Sequence, residues 1–203
     1  MADIKLTPGN DVYVQPNSDR DVWNTILGDD GDDVIQAFSG GINPGRGNDR
    51  IEIIPIADQP WRHIHLGYWD SPAAVRVDLE LGTAEDGWGT RDTFVGVYGV
   101  SGSSWDDWLK GDAKDNGFWP SNGNDTVFGG AGNDAIGVPW FEPVPNQPWR
   151  QALLSDLDIR VAVDGLSATI RPKTGKGFVY TVHEVEYLDV ALVADGPWQR
   201  YPL

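Results

Sequence analysis

The sequence predicts an all-β protein assembled from short, repeated strands joined by tight turns. Three observations carry that expectation. The chain repeats itself at a period of nine, with an apolar residue recurring at one fixed place in each unit. Its 25 glycines and 14 prolines supply many turns. No segment has a strong helical pattern, the best candidate being a short turn around 151–157.

The repeat is clearest in the second half. Residues 102–110 read GSSWDDWLK, 111–119 GDAKDNGFW, 120–128 PSNGNDTVF and 129–137 GGAGNDAIG. In that register the sixth position holds Asp107, Asn116, Asp125 and Asp134, and the eighth holds Leu109, Phe118, Val127 and Ile136. The same register fits 28–36 (GDDGDDVIQ), with Asp33 and Ile35, and a degenerate copy at 19–27, with Asn24 and Ile26. After an insertion at 37–43 it fits 44–52 (PGRGNDRIE), with Asp49 and Ile51. Where a unit carries glycine, as at Gly123, Gly129, Gly130 and Gly132, it permits the positive φ angles of a tight turn. The aspartate at six points a carboxylate into that turn, and the residue at eight lies on a short strand facing inward. A single G-x-G-x-D is an ordinary turn signal, whereas four contiguous copies in register describe an architecture.

These units resemble the hemolysin-type (RTX) calcium-binding nonapeptide, G-G-x-G-x-D-x-U-x. The resemblance implies a parallel β-roll, a form of β-helix solenoid, in which successive units turn on alternate sides and every second turn stacks on the same side. Strands spaced by ~4.8 Å then let two stacked turns share one ion, and calcium takes six to eight oxygens, backbone carbonyls included. Carried over, the calcium ligands lie among Asn24, Gly28, Asp30, Gly31, Asp33, Gly47 and Asp49 in a smaller cluster at 19–52. The larger cluster, at 102–137, takes in Asp107, Gly111, Asn116, Asn122, Gly123, Asp125, Gly129, Gly132 and Asp134. Asp107 would pair with Asp125 and Asn116 with Asp134. Asp33 heads the earlier cluster, its partner left open by the insertion before Asp49. Trp105 and Lys114 in glycine slots, Pro120 at a first position and Asn116 for Asp depart from the pattern, so the 120–137 turns should be the best formed. The competing reading is a β-helix whose polar turns hold no ion.

A larger repeat divides the chain. Gln59-Pro60-Trp61-Arg62 recurs as Gln147-Pro148-Trp149-Arg150, and each copy precedes a strand-like alternation, at 75–79 and at 159–163. Further alternating segments follow around 94–100 and 179–187. The expected organisation is an N-terminal cap (1–18), two similar roll halves with Trp-rich loops (19–101 and 102–190), and a C-terminal tail or cap (191–203), since the ends of a stacked array need covering.

Composition narrows function. Asp and Glu total 31 against 15 Lys and Arg, a formal charge of -16, which argues against nucleic acid and anionic membranes as partners. No apolar run is long enough to span a bilayer. Cysteine is absent, excluding disulfides and thiolate metal sites. The first ten residues carry no secretory pattern, and the resemblance implies extracellular delivery by a type I route without a cleaved N-terminal signal. Ten tryptophans are many for this length. Trp61, Trp69, Trp140, Trp149 and Trp198 lie in or beside Pro-rich loops, where they either cover open faces of the roll or bind a glycan or a protein surface. Arg62 and Arg150 would bind carboxylates of an acidic polysaccharide or pair with the chain's own acids. His63, His65 and His183 would form a transition-metal site only if brought together. No P-loop, G-x-S-x-G, H-E-x-x-H or dinucleotide motif occurs. Two classes remain: a calcium-stabilised binding or scaffold module, and a small secreted polysaccharide lyase or epimerase on a β-helical scaffold. Because repeats and their connecting segments account for most of the chain, the first is favoured, with no catalytic residue to name.

Overall fold

Short strands separated by glycine turns cannot bury a face alone, and here they do so by pairing side by side in two large sheets. The computed structural model describes residues 3–19, 21–56, 64–138, 140–141, 150–151, 157–162, 165–172, 178–185, 187–191 and 198–203. The first sheet carries nine strands: β1 (Asp3–Lys5), β3 (Asn24–Leu27), β5 (Gly40–Asn43), β7 (Ile64–Gly67), β11 (Val97–Ser101), β13 (Gly117–Trp119), β15 (Ala135–Gly137), β21 (Tyr187–Ala191) and β22 (Trp198–Pro202), in that spatial order. The second carries eleven. In spatial order these are β18 (Leu157–Val161), β19 (Ser167–Pro172), β20 (Val179–His183), β14 (Asn124–Phe128), β12 (Trp108–Lys110), β8 (Arg76–Asp78), β9 (Thr83–Glu85), β10 (Arg91–Val95), β6 (Arg50–Ile53), β4 (Val34–Ala37) and β2 (Val12–Val14). A separate pair joins β16 (Trp140–Phe141) to β17 (Arg150–Gln151). The described residues contain no α-helix, only a single 3-10 turn at Asn17–Asp19. The fold is therefore all-β, as the composition and repeat predicted.

Through most of the chain successive strands alternate between the two sheets, and neighbours within each sheet run parallel. The apolar eighth positions explain why. Ile26, Ile42, Leu66, Val100, Phe118 and Ile136 occupy one cross-strand row, each wholly buried. The opposite sheet supplies Ile35 beside Ile51, and Val77, Leu109 and Val127 in register. Both rows belong to one core cluster. Each such side chain contributes about 1.5–3 kcal/mol by leaving water.

Three features break the alternation. Residues 76–95 fold as the antiparallel group β8–β9–β10 within the second sheet. Antiparallel strands also close the far ends: β19 and β18 follow β20, and β22 follows β21. The segments 75–79 and 159–163, similar as sequence, thus differ in role, since β8 joins β12 in parallel while β18 pairs antiparallel with β19. Both sheets run through the 101/102 boundary, because β11 pairs with β13 and β8 with β12. Residues 1–18, expected as a cap, contribute β1 and β2, the outermost strands at that end of each sheet. Most of the proposed turn at 151–157 lies outside the described residues.

Candidate functional site

The turns leading from the first sheet into the second all emerge on one side of the molecule. There the sixth-position side chains form a ladder. The Asp11 amide donates to Asp33 Oδ1 at 2.8 Å, the Asp33 amide to Asp49 Oδ1 at 2.8 Å, and the Asp49 amide to Asp92 Oδ1 at 3.0 Å. Farther along, the Val75 amide donates to Asp107 Oδ1 and the Asp107 amide to Asp125 Oδ1, both at 2.8 Å. The turns on the opposite side bring Asn116 against Asp134, the Asn116 amide donating to Asp134 Oδ1 at 2.8 Å. Each carboxylate thus uses one oxygen to hold the neighbouring turn.

The second oxygen separates these residues chemically. Oδ2 of Asp33, Asp49 and Asp125 is buried with no hydrogen-bond partner among the described residues. A buried acceptor left unmade costs about 1–3 kcal/mol, and more for a charged group. Asp107 is satisfied instead: Ser103 donates its amide to Oδ2 at 2.7 Å and its hydroxyl to Oδ1 at 2.6 Å. Asn116 is satisfied too, accepting the Asp112 amide on Oδ1 and donating Nδ2 to the Tyr98 carbonyl. An amide closes that gap directly where a carboxylate would repel the carbonyl. Asp92 Oδ2 accepts the Tyr68 hydroxyl at 2.9 Å.

Backbone oxygens converge at the same places. A Cβ built on Gly28 would lie 1.8 Å from the Pro44 carbonyl oxygen and 3.0 Å from Asp33 Oδ2. One built on Gly129 would lie 1.8 Å from the Glu184 carbonyl oxygen and 2.6 Å from Asp134 Oδ2. The first-position glycine therefore lets a carbonyl of the next stacked turn approach closely, beside the carboxylate of its own turn. Among the described residues no three His, Asp or Glu side chains form a group able to hold a metal. All available donors are oxygens, which suits a hard dication.

Burial dominates the electrostatics of these carboxylates. Burial pushes the Asp125 carboxyl up to about 8, with the Asp107 and Asp106 charges adding to it. Burial likewise raises Asp33, Asp49, Asp92 and Asp107, and Asp33 and Asp49 are each a further raising charge for the next carboxylate in the ladder.

The remaining predicted residues fall around this ladder. Gly28, Gly31, Gly47 and Gly123 lie in its turns, and Gly111, Gly129 and Gly132 lie in the opposite ones. Asp30 and Asn122 are exposed, and Asp30 bridges to Arg46 rather than joining the buried row. Asn24 is buried at the start of β3, beside Gly40 and on the side away from Asp33, so residues 19–52 do not form a single cluster. The longest ladder lies in the first half, where the sequence led us to expect the smaller cluster. Trp61, Arg62, Trp149 and His63 lie outside the described residues, and Arg150 is described only as backbone of β17. His65, on β7, is 2.7 Å from the Ser101 hydroxyl, while His183, in the other sheet, stacks on Phe128.

Two ladder members escaped the sequence reading. Residues 6–14 read LTPGNDVYV, with Asp11 sixth and Tyr13 eighth, and 87–95 read GWGTRDTFV, with Asp92 sixth and Phe94 eighth. The signal for the first was the triplet Gly9-Asn10-Asp11, repeated at 47–49, 123–125 and 132–134. Fifth positions also form an outer ladder, running the opposite way: the Asp32 amide donates to Asn10 Oδ1, Asn48 to Asp32, Asn124 to Asp106, and Asn133 to Asp115.

No family model matches the chain, and no curated protein matches it.

Proposed function

We propose that the chain is a calcium-binding β-roll of the RTX kind that acts as a calcium-stabilised binding module. The observation carrying this reading is the set of buried, unpartnered carboxylate oxygens on Asp33, Asp49 and Asp125, in turns where carbonyl oxygens already crowd together. Parallel strands alternating between two sheets support the roll. Asp33 and Asp49 with the carbonyls of turns 28–33 and 44–49 would hold one group of ions. Asp125 with the turn of Asp107 would hold another on the same side, and Asp134 with the turn of Asn116 a third on the opposite side. A bound dication would neutralise the carboxylates and accept their free oxygens and the nearby carbonyls as ligands, and the protein's part is to present those oxygens at stacked turns. Because each site draws on two turns far apart in sequence, binding favours the folded state. No helix among the described residues is long and apolar enough to cross a membrane. Millimolar extracellular calcium suits sites of modest affinity, on the order of 10⁻⁴–10⁻³ M.

The test is calorimetric titration of the chelated protein with calcium. Several sites per chain are expected. A native protein that binds no calcium and is unaffected by chelator would sink the reading.

A further inference from the structure

The insertion at 68–90 supplies β8 and β9 to the second sheet and also carries side chains that the core does not use. It carries two exposed tryptophans, Trp69 and Trp88, with relative exposures of 46% and 41%. Both line one cleft of about 260 Å³ against the stacked turns at 28–30 and 43–46, together with Asp70, Asn43, Lys5 and Arg46.

The Trp69 ring and the loop that carries Trp88 are both held. Gly67 leaves room for Trp69 to lie directly on the strand: a Cβ there would meet Trp69 Cζ3 at 1.7 Å. Trp88 sits on a loop clamped by wholly buried Asp86, whose Oδ1 accepts the amides of Trp88 at 3.0 Å and Thr90 at 2.9 Å. Asp70 is exposed but fixed. Its Oδ1 accepts a hydrogen bond from Nδ2 of buried Asn43 at 2.7 Å, and Asn43 Oδ1 in turn accepts the Gly45 amide at 3.0 Å. Lys5 is engaged with Asp29 at 3.1 Å. An exposed aromatic normally loses freedom on binding, and for Trp69 that ordering is already built into the fold.

The lining pairs broad apolar ring faces with a few fixed hydrogen-bonding groups, the usual composition of a small-ligand site. Its charges nearly cancel, with Asp29, Asp30 and Asp70 facing Lys5 and Arg46, and the chain as a whole carries -16. Near-balanced charge gives an ionised ligand no net attraction to set against its lost hydration. A pyranose ring matches what is left: its C–H faces lie on indole rings, and its hydroxyls both donate to carboxylates and accept from the cations. We infer that the cleft between Trp69 and Trp88 binds a neutral glycan, one or two pyranose units of the chain seated against the two rings. This rests on reading the protein as a binding module, and it places the ligand at the 68–90 insertion.

The test is a calorimetric and tryptophan-fluorescence titration of the full chain, in millimolar calcium, with hexaoses of β-1,4-glucose, β-1,3-glucose and β-1,4-mannose, and with hexagalacturonate. At least one neutral hexaose should bind. Trp69→Ala, Trp88→Ala and Asp70→Asn should each weaken it by about tenfold or more. Trp23→Ala, comparably exposed at 40% but outside the cleft, should leave affinity unchanged. Circular dichroism and a calcium isotherm on each variant establish that it is folded. A folded wild-type chain that binds calcium but no neutral hexaose, that prefers hexagalacturonate, or that loses binding equally in Trp23→Ala overturns the inference alone. Neutral-hexaose binding that persists on a folded chain shown to bind no calcium overturns the calcium reading and leaves the cleft standing.

Discussion

A carboxylate has two oxygens, and in these turns they have separate tasks. One oxygen of Asp125 fixes the neighbouring turn through the Asp107 amide, while the other is buried and unpartnered. Asp125→Ala removes both, so calcium affinity should fall by about tenfold or more, since tenfold needs only about 1.4 kcal/mol. Asp78→Ala is the matched control. Its carboxylate accepts the Leu81 amide at 2.9 Å and lies 3.8 Å from Lys110 Nζ, outside any stacked turn. It should leave calcium affinity unchanged and cost about 0.5–1.5 kcal/mol of stability. Equal losses of affinity from the two, read by calorimetry, would mean that bulk charge controls binding. What could be read in advance at this scale depended on spacing. Asp107 to Asp125 and Asn116 to Asp134 are each 18 residues apart, two whole nonapeptides. The other rungs of the ladder span 22, 16, 43 and 32 residues. Stacking needs equal rise, not equal sequence length, so loops of different size hide Asp11 and Asp92 from any search for a fixed period.

Strands and turns are held by different parts of the same unit. The eighth position fills the core row, so Phe118→Ala, at a fully buried site, should cost about 3–5 kcal/mol in chemical denaturation. Val95→Ala, on a side chain 66% exposed, should change stability by less than about 0.5 kcal/mol. A similar cost for both would mean that the row is not the core. The first position sets turn spacing. Alanine at Gly28 would place its Cβ against the Pro44 carbonyl oxygen, pushing apart the two turns that carry Asp33 and Asp49. Strand positions were legible because alternation reports which face is buried. Strand direction was not, because alternation is the same for parallel and antiparallel neighbours. That is why 75–79 and 159–163 look alike as sequence and yet take different partners. The hairpin at 76–85 and the clamp on Asp86 were likewise invisible: their partners are backbone groups brought close only by the loop's own closure.

Across the whole molecule, stacking brings like charges together, and the sign of the resulting pH dependence follows from burial. In the calcium-free fold Asp33, Asp49, Asp92, Asp107 and Asp125 all titrate above the ordinary carboxylate value of 3.8, Asp125 at about 8. Between those values the folded chain binds more protons than the unfolded one, so stability falls as pH rises. The contribution is fully present below the unfolded value and is lost as pH rises through the folded one. Calcium bound as proposed would reverse this trend, because it would displace those protons and bind the ionised form. At a calcium level 100-fold above Kd, one site adds about 2.7 kcal/mol, a large share of the ~5–15 kcal/mol that holds a domain together. The chelated protein should therefore be largely unfolded near neutral pH, recover β structure as pH drops toward about 5, and fold at neutral pH when calcium is millimolar. Far-UV circular dichroism and melting temperature across that range, with calcium and with chelator, measure both slopes. A chelated chain that keeps its β spectrum at neutral pH and melts higher as pH rises would show that the buried carboxylates do not govern folding. The stacked core of Ile, Val, Leu and Phe would then hold the two sheets without an ion.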